Sequence, residues 1–347
     1  MNKKLTTLLT AGVLLTVSTF GCGFKFWGQK NVTEAPKPQA VITQNYDTIK
    51  NKAWCVTFQL VWNDFMDKVN YGKPILLAGG NPPVATELNK RLYTTDILSE
   101  NSYYKKNGVI SKRLKAQIEK DIKKKFNEKS DILGMIDWTA KNSYLFYAML
   151  KKDFQFETPF DKLEANAFAN SKEKVNFFGI NNKSEHKLRK NVDVLFYNSD
   201  NDYAVKLLTK QNEEVILYKT NSQESFENLF AYITQQENNA EFGNEDKLSI
   251  PDIRIDNTIE YPELCGKKIK GTDKVISQAI QTIKFNMDNK GGSLKSEAAL
   301  VTMRMSISHQ KARHYNFNDK FVMFLKEANK DLPYFAARIE DTEFLVK

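Results

Sequence analysis

The sequence predicts an α+β fold in which helices pack on mixed or antiparallel β-sheets. Two amphipathic helical stripes lie in the first third of the chain, and short apolar or alternating runs typical of strands follow from Tyr144 onward. The 347 residues are 41% apolar and 27% charged, which is typical of a globular protein with a substantial core. We therefore expect one large domain whose sheets are built mainly by the second half of the chain.

The two predicted helices differ in their surfaces. The first spans Ala53–Val69 and carries Trp54, Phe58, Val61, Phe65 and Val69 on one face. The second spans Ser111–Phe126, with apolar residues four apart and a basic remainder made of Lys112, Arg113, Lys115, Lys120, Lys123, Lys124 and Lys125. Such a face either is solvated or binds polyanions, and we favour solvation. Because it has no interleaved aromatic residues, we expect no nucleic-acid partner.

The predicted strands are bounded by turn-forming residues. The clearest is a hairpin whose strands are separated by the turn residues 198–202, Asn-Ser-Asp-Asn-Asp. A loop is predicted at Gly79–Pro83 and a short helix at Ser225–Ile233. The predicted strands are Val192–Tyr197, Tyr203–Thr209, Val215–Tyr218, Leu248–Ile255 and Ile283–Met287.

The amino terminus is typical of an export signal. Lys3 and Lys4 precede a short apolar run, and Thr19-Phe20-Gly21-Cys22 resembles a bacterial lipobox, in which Cys22 is lipidated. We predict a signal peptide over residues 1–21, a lipid-anchor tether over 22–45 and a single domain over 46–347. The protein would be a membrane-anchored lipoprotein of the cell envelope, and plain secretion is the alternative.

No motif in the sequence indicates catalysis or a cofactor. The three histidines lie at 186, 309 and 314, without helical metal-ligand spacing, and no phosphate-binding or nucleophile-elbow motif occurs. We therefore predict no metal and no cofactor, and that the protein is not an enzyme. Cys55 has no base beside it. Cys55 and Cys265 either pair or remain separate buried thiols, and we favour the second interpretation.

Several segments resemble landmarks of the serpin family, in the correct order. Phe156–Asp161 is similar to the family's Trp-x-x-Pro-Phe-Asp stretch, and Ile250–Asp256 to its Leu-Pro-Lys-Phe-Lys-Ile-Glu. Ile276–Gly291 resembles the strand that enters the hinge, whereas Phe317–Leu325 and Phe335–Ile339 resemble the two closing strands. The match is best over residues 174–347, and it implies a serpin-like fold with an exposed reactive-centre loop.

The resemblance implies a bait loop over residues 291–306. In serpins such a loop is cleaved by a serine protease and then inserts into the main sheet as a strand. The ungapped count from Gly291 implies that the scissile bond is Met305-Ser306, and a shift by one residue would use Arg304. One alternating set of loop residues is uncharged, as an inserted strand requires on its core-facing side. The hinge residues implied are Gly291, Gly292, Leu294, Ser296 and Ala298.

Departures from the family leave two functions open. Leu294, Lys295 and Glu297 interrupt a hinge that is usually a run of small residues, and Gly72–Asn89 occupies the place of the family's shutter helix with unrelated sequence. The chain is therefore either an inhibitor whose partner is a serine protease or a non-inhibitory serpin-like surface module. In both cases we expect a monomer that contacts the membrane through the lipid on Cys22.

Overall fold

The computed structural model describes residues 50–140, 142–236, 240–294 and 312–347. The α-helices in them are α1 (Thr57–Asn70), α2 (Pro83–Leu88), α3 (Lys112–Phe126) and α4 (Phe226–Thr234). The strands are β1 (Lys52–Cys55), β2 (Tyr103–Val109), β3 (Tyr144–Leu150), β4 (Lys152–Gln155), β5 (Asp161–Ala167), β6 (Lys174–Ile180), β7 (Val192–Ser199), β8 (Asp202–Leu208), β9 (Glu213–Lys219), β10 (Ala240–Glu241), β11 (Lys247–Pro251), β12 (Ile253–Glu260), β13 (Ile280–Asp288), β14 (Gly291–Leu294), β15 (His314–Asn316), β16 (Phe321–Glu327) and β17 (Phe335–Ile339).

The largest sheet of the described residues has seven antiparallel strands in the order β1-β17-β16-β9-β8-β7-β10. Its centre is formed by residues that are continuously apolar, such as Phe321–Leu325, all of them fully buried. Helix α4 covers it, with Phe226 and Phe230 packed edge-on against Phe324. This burial explains the continuous apolar runs. A strand covered on both faces has no solvent-facing side, so apolar and polar residues need not alternate along it.

The remaining described strands form three smaller groups. The central sheet has the order β12-β13-β14-β4, and a two-stranded ladder joins β2 to β3. A third sheet, ordered β15-β11-β6-β5, lies where the chain enters and leaves the seven-stranded sheet. Strands β3 and β4 are separated only by Lys151, whose N–H donates to Ser102 O at 3.0 Å and so extends the β2–β3 ladder. The two therefore act as one long strand with different neighbours at its two ends.

Helix α3 packs on the β2–β3 ladder as its apolar spacing predicts. Ile118 and Ile122 are fully buried beside Tyr147 and Met149, and the Ser111 hydroxyl accepts from the Leu114 N–H to cap the helix. Its lysines lie on the exposed side, so the predicted bounds and polarity of this helix are confirmed. The predicted helix at Ser225–Ile233 is also confirmed, with the Ser225 hydroxyl as its N-cap.

Two predicted elements were wrong in their extent. Ala53, Trp54 and Cys55 do not begin α1 but form β1, paired with β17, because all three are buried and a helix would expose one of them. The predicted strand Leu248–Ile255 is two strands in different sheets. Its core residues change phase between Ile250 and Ile253, and the chain crosses from β11 to β12 at that point.

No helix in the described ranges is long and apolar enough to cross a membrane. Cys55 is a buried free thiol and Cys265 a half-buried one, so they do not pair. Residues 1–49 and 295–311 lie outside the described residues. The predicted signal peptide, Cys22 and the tether belong to the first range, and Ser296, Ala298 and the bond candidates Arg304, Met305 and Ser306 to the second.

Candidate functional site

The hinge segment Gly291–Leu294 is already a strand within the central sheet. As β14 it lies between β13 and β4 and is antiparallel to both. Leu294 is the last residue of this strand, opposite Phe285 on one side and Lys152 on the other. The Leu294 side chain is 4% exposed. Its bulk is therefore accommodated inside the sheet.

Two glycines allow this strand to enter the sheet. Gly291 has φ +151°, and a Cβ there would lie 2.1 Å from the Phe154 carbonyl oxygen. A Cβ on Gly292 would lie 2.5 Å from the Phe154 ring. Both distances are below contact, so only glycine fits where β14 leaves the turn after β13 and runs between β13 and β4. The structure thus gives Gly291 and Gly292 a physical reason that the family resemblance alone did not supply.

The turn before the hinge is docked on the Phe156–Asp161 stretch. The Asn289 carbonyl accepts from the Phe160 N–H at 2.8 Å, and the Asn289 amide donates to Phe160 O at 3.0 Å. Phe156 N–H donates to Lys290 O at 2.9 Å. Phe156 and Phe160 are buried, and their rings pack edge to face with centroids 4.9 Å apart. This aromatic pair packs against the turn that leads into β14.

Among the described residues, no strand lies between β13 and β3 beyond Leu294. A cavity of about 900 Å³, which we call the slot, extends from Leu294 along β3 on one side and β13 on the other. Among the described strands, β3 pairs only with β2, and the Ile280–Lys284 part of β13 pairs only with β12. Alternation of the backbone groups leaves those of Phe146, Ala148 and Leu150 directed toward the slot. The slot therefore has two strand edges available for pairing.

Apolar side chains cover the slot on both faces of the sheet. Helix α1 contributes Phe58, Val61 and Phe65 on one face. On the other face lie residues 130–136, which pack against β3 through the cluster around Leu133 and Tyr147. The slot is bounded by two strand edges and two covered faces and so has the shape of one missing strand. A strand that fills it would have to lie about 4.8 Å from β3 and from β13, the usual spacing between neighbouring strands.

Residues 130–136 also reach across the slot to β13. Lys284 Nζ lies 3.0 Å from Asp131 Oδ1, and Gln278 Nε2 donates to Met135 O at 3.2 Å. We call residues 130–136 the latch. The Lys284 side chain is 41% exposed and Asp131 27% exposed, so the ion pair is partly solvated and holds the latch weakly.

A buried charge cluster lies where the filled part of the sheet meets the slot. Lys152 Nζ contacts Glu213 Oε1 at 2.5 Å and Glu327 Oε1 at 2.6 Å, and all three side chains are at most 2% exposed. The Tyr334 hydroxyl donates to Glu213 Oε2 at 2.5 Å, and the Ser99 hydroxyl to Glu327 Oε1 at 2.7 Å. Because Glu213 and Glu327 belong to the seven-stranded sheet, the cluster ties β4 to that sheet.

The cluster contains two carboxylates and one ammonium group, and its pKa shifts reflect this. Burial alone would raise the pKa of Glu327, but the charge and hydrogen bond of Lys152, with the Ser99 donors, outweigh burial and lower it. Burial raises the pKa of Tyr334 well above its ordinary value, and the neighbouring Glu213 adds to the effect. Glu327 is thus held ionised and Tyr334 neutral, which keeps the cluster hydrogen-bonded.

The chain is also held at Arg313, close to where the described residues resume. Arg313 donates from its backbone N–H to Asp246 Oδ1 at 2.6 Å and from Nη2 to Oδ2 at 2.8 Å. His314, Tyr315 and Asn316 then form β15, parallel to β11. Residues 295–311 are therefore flanked by β14 on one side and by the Arg313–Asp246 contacts and β15 on the other.

The sequence predicted the hinge residues from the family resemblance but did not predict what surrounds them. Gly291, Gly292 and Leu294 come together with the slot, and the predicted positions Ser296, Ala298, Arg304, Met305 and Ser306 lie outside the described residues. The cluster of Lys152, Glu213 and Glu327 was not predicted. Its signal was present, because Glu213 and Glu327 flank continuously apolar strands where an unpaired charge would be costly.

Comparison of the sequence with models of protein families and with curated proteins finds no match. Comparison of the structure finds serpins. Maspin is 12% identical, over 85% of this chain and 93% of that one, with a TM-score of 0.50. Thyroxine-binding globulin in complex with thyroxine has 12% identity, coverages of 85% and 94% and a TM-score of 0.49. Serpin48 from the insect Tenebrio molitor has 12% identity, coverages of 81% and 96% and a TM-score of 0.40.

Proposed function

From the serpin-like fold of this chain, we propose that it is an exported protease inhibitor whose bait loop inserts into the slot after cleavage. The observation that carries the proposal is the half-filled central sheet, in which β14 already occupies the position of the inserting strand and the space ahead of it is empty of described strands. The protein acts by being cleaved and not as an enzyme. A serine protease is the proposed partner, with Met305-Ser306 or the bond after Arg304 as the bond attacked.

The register of β14 fixes where each loop residue goes when the strand extends. Because Leu294 lies between Phe285 and Lys152, Ser296 would come between Ile283 and Leu150. Ala298 would follow between Gln281 and Ala148. Every second residue of the extension would face helix α1, as Leu294 already faces the core. The two remaining hinge residues, Ser296 and Ala298, are small and match this core-facing position.

The charged loop residues would then face the latch. Lys295 would enter between Lys284 and Lys151, and like charges directly opposite one another disfavour strand pairing. Each of these two lysines already holds a carboxylate, Asp131 and Glu128 respectively. Insertion on that face therefore displaces the latch and crowds three lysines together, which slows the step on which inhibition depends.

This crowding supports a second candidate, a non-inhibitory serpin-like surface module. If insertion is slower than hydrolysis of the acyl-enzyme, the protease cleaves the loop and escapes, and the protein is a substrate. Both candidates keep the proposed location, which is the cell envelope through a lipid on Cys22 or, as the alternative, the secreted state. Both also keep a monomer.

Incubation with trypsin, chymotrypsin and elastase separates the two candidates. An inhibitor gives a covalent complex that survives denaturing electrophoresis, because the inserted strand traps the acyl-enzyme. A Gly291→Val variant should give cleavage without complex, since its side chain cannot pass Phe154. Clean cleavage of the wild-type loop by all three proteases, with no complex, would overturn the inhibitor in favour of the module.

A further inference from the structure

A patch of lysines and exposed apolar side chains lies at the end of the slot that is remote from Leu294. It is formed by residues 68–78, which include the end of helix α1 and the segment after it, and by the hairpin 267–275. These two segments contain six lysines and a single acidic residue, Asp273. We call them together the lysine patch.

Three large apolar or aromatic side chains protrude from the lysine patch. Tyr71 is 92% exposed, Leu76 54% and Val275 50%. Scattered exposed apolar residues need no explanation, but a contiguous set ringed by charge marks a surface that makes contact with something. Tyr71 has a further cost, because it holds φ +54° at the end of α1, where a glycine would be free of strain.

The backbone presents these side chains outward in a fixed arrangement. Leu76 lies between the fully buried Ile75 and Leu77, and Lys268 and Lys270 flank the buried Ile269. The two segments are joined by Lys270 N–H donating to Leu76 O and Ala78 N–H donating to Lys268 O, both at 2.8 Å. Strand alternation therefore places Leu76 on the same outer face as the two lysines.

The lysines of the hairpin have little to neutralise them. In the described part of the chain, the only carboxylate paired with them is Asp273, 3.4 Å from Lys274 and itself 93% exposed. Lysine with aliphatic and tyrosine side chains is the combination that suits an anionic bilayer surface. The ammonium groups attract the headgroups, tyrosine sits at their level, and leucine and valine reach the acyl boundary.

We propose that the lysine patch binds the surface of an anionic phospholipid membrane through Lys268, Lys270, Lys274, Tyr71, Leu76 and Val275. This surface is separate from the bait loop and does not depend on protease inhibition. The predicted lipid on Cys22 would keep the domain within tether reach of a bilayer, so a weak contact of this kind would be occupied at high effective concentration.

Vesicle binding by the full mature chain tests the proposal, with Cys22→Ser removing any lipid of the protein's own. We expect sedimentation with vesicles of phosphatidylcholine and phosphatidylglycerol, weakened by added salt, and none with phosphatidylcholine alone. Neutralising Lys268, Lys270 and Lys274 to glutamine should weaken binding by about 100-fold, at roughly fivefold for each lysine. Tyr71→Ser with Leu76→Ser should abolish the salt-resistant remainder.

The matched control is the same charge change on α3. Lys112, Lys120 and Lys123 are exposed, and glutamine at all three removes three charges from the lysine-rich side of α3, which also carries Glu119. This control should retain binding within about fivefold, the effect of one lysine. Equal loss in the α3 control, or equal binding to vesicles without phosphatidylglycerol, would overturn the proposal. The thermal unfolding temperature of every variant should equal that of the unsubstituted protein, which verifies that the substitutions alter binding and not folding.

Discussion

The two halves of the central sheet differ in whether the space between their strands is filled. In the filled half, all four residues of β14 pair with both β13 and β4. In the open half, β13 and β3 border the slot, and among the described residues α1 and the latch line its two faces. The same long strand, formed by β3 and β4, borders both halves. The halves therefore differ in whether a strand lies between it and β13.

The contrast indicates what holds the filled half closed. That half has the glycine pair at its entry, the aromatic pair Phe156 and Phe160 behind its turn and the buried cluster of Lys152 at its end. The slot has apolar walls and one partly solvated ion pair across it. The filled half is thus held by more contacts than the open half, and the proposed strand insertion would change the open half.

Removing Lys152 should have the largest effect, because the cluster joins β4 to the seven-stranded sheet. Lys152→Met leaves Glu213 and Glu327 buried without a counter-charge and should lower the free energy of unfolding by about 3–5 kcal/mol. Urea denaturation followed by circular dichroism measures this. Lys187→Met is the control. Its partner Glu185 is 71% exposed and it is itself 60% exposed, so the loss should stay below about 1 kcal/mol. Equal effects in the two variants would contradict a structural role for the cluster.

Substitution of Gly291 should break the filled half with a somewhat smaller effect. Gly291→Ala combines backbone strain of about 1–3 kcal/mol with the approach to the Phe154 carbonyl, so β14 should detach. Gly79→Ala is the matched control, since Gly79 has φ +80° with no atom within 4 Å of the added Cβ. Hydrogen exchange of the β13 and β4 amides should rise in the first variant only. Equal exchange in both variants would show that strain alone, and not the close approach, matters.

Acid should loosen the same cluster. The pKa of Glu327 is lowered from its ordinary 4.5 by Lys152 and Ser99 in spite of burial. The stabilisation is therefore complete above the unfolded-state pKa and is lost as pH falls through the lower folded-state pKa. The urea midpoint should therefore drop as the pH falls below the ordinary pKa of 4.5, and less steeply in Glu327→Gln. An identical pH profile in that variant would assign the acid sensitivity to other groups.

The smallest expected effect concerns the open half. Lys295→Glu would replace the like-charge contact with Lys284 and Lys151 by attraction, at about 0.2–1 kcal/mol. The native protein should keep its unfolding temperature, whereas the yield of denaturant-resistant complex with a protease should rise. Glu297→Gln serves as the control, since Thr282 and Met149 flank its projected position. A yield that does not change would exclude charge crowding as the brake on insertion.

Local sequence patterns predicted an element well where burial of one apolar face determines its structure. The Ser111–Phe126 stripe predicted helix α3 within one residue of its observed bounds, because periodicity is a property of neighbouring residues. The sequence did not predict β1, since Ala53–Cys55 continues the apolar run of α1 and only β17 turns it into a strand. The slot and the Lys152 cluster depend on residues far apart in the chain, and no spacing rule brings Lys152, Glu213 and Glu327 together.

Thermal unfolding before and after cleavage of the bait loop tests the central claim most directly. Cleavage frees residues after Leu294 to extend β14 into the slot, and a filled sheet buries apolar walls that now border a cavity. We predict that the cleaved protein unfolds at a markedly higher temperature than the intact one, and that Gly291→Val does not show this gain. An unchanged or lower unfolding temperature after cleavage between Arg304 and Ser306 would contradict insertion.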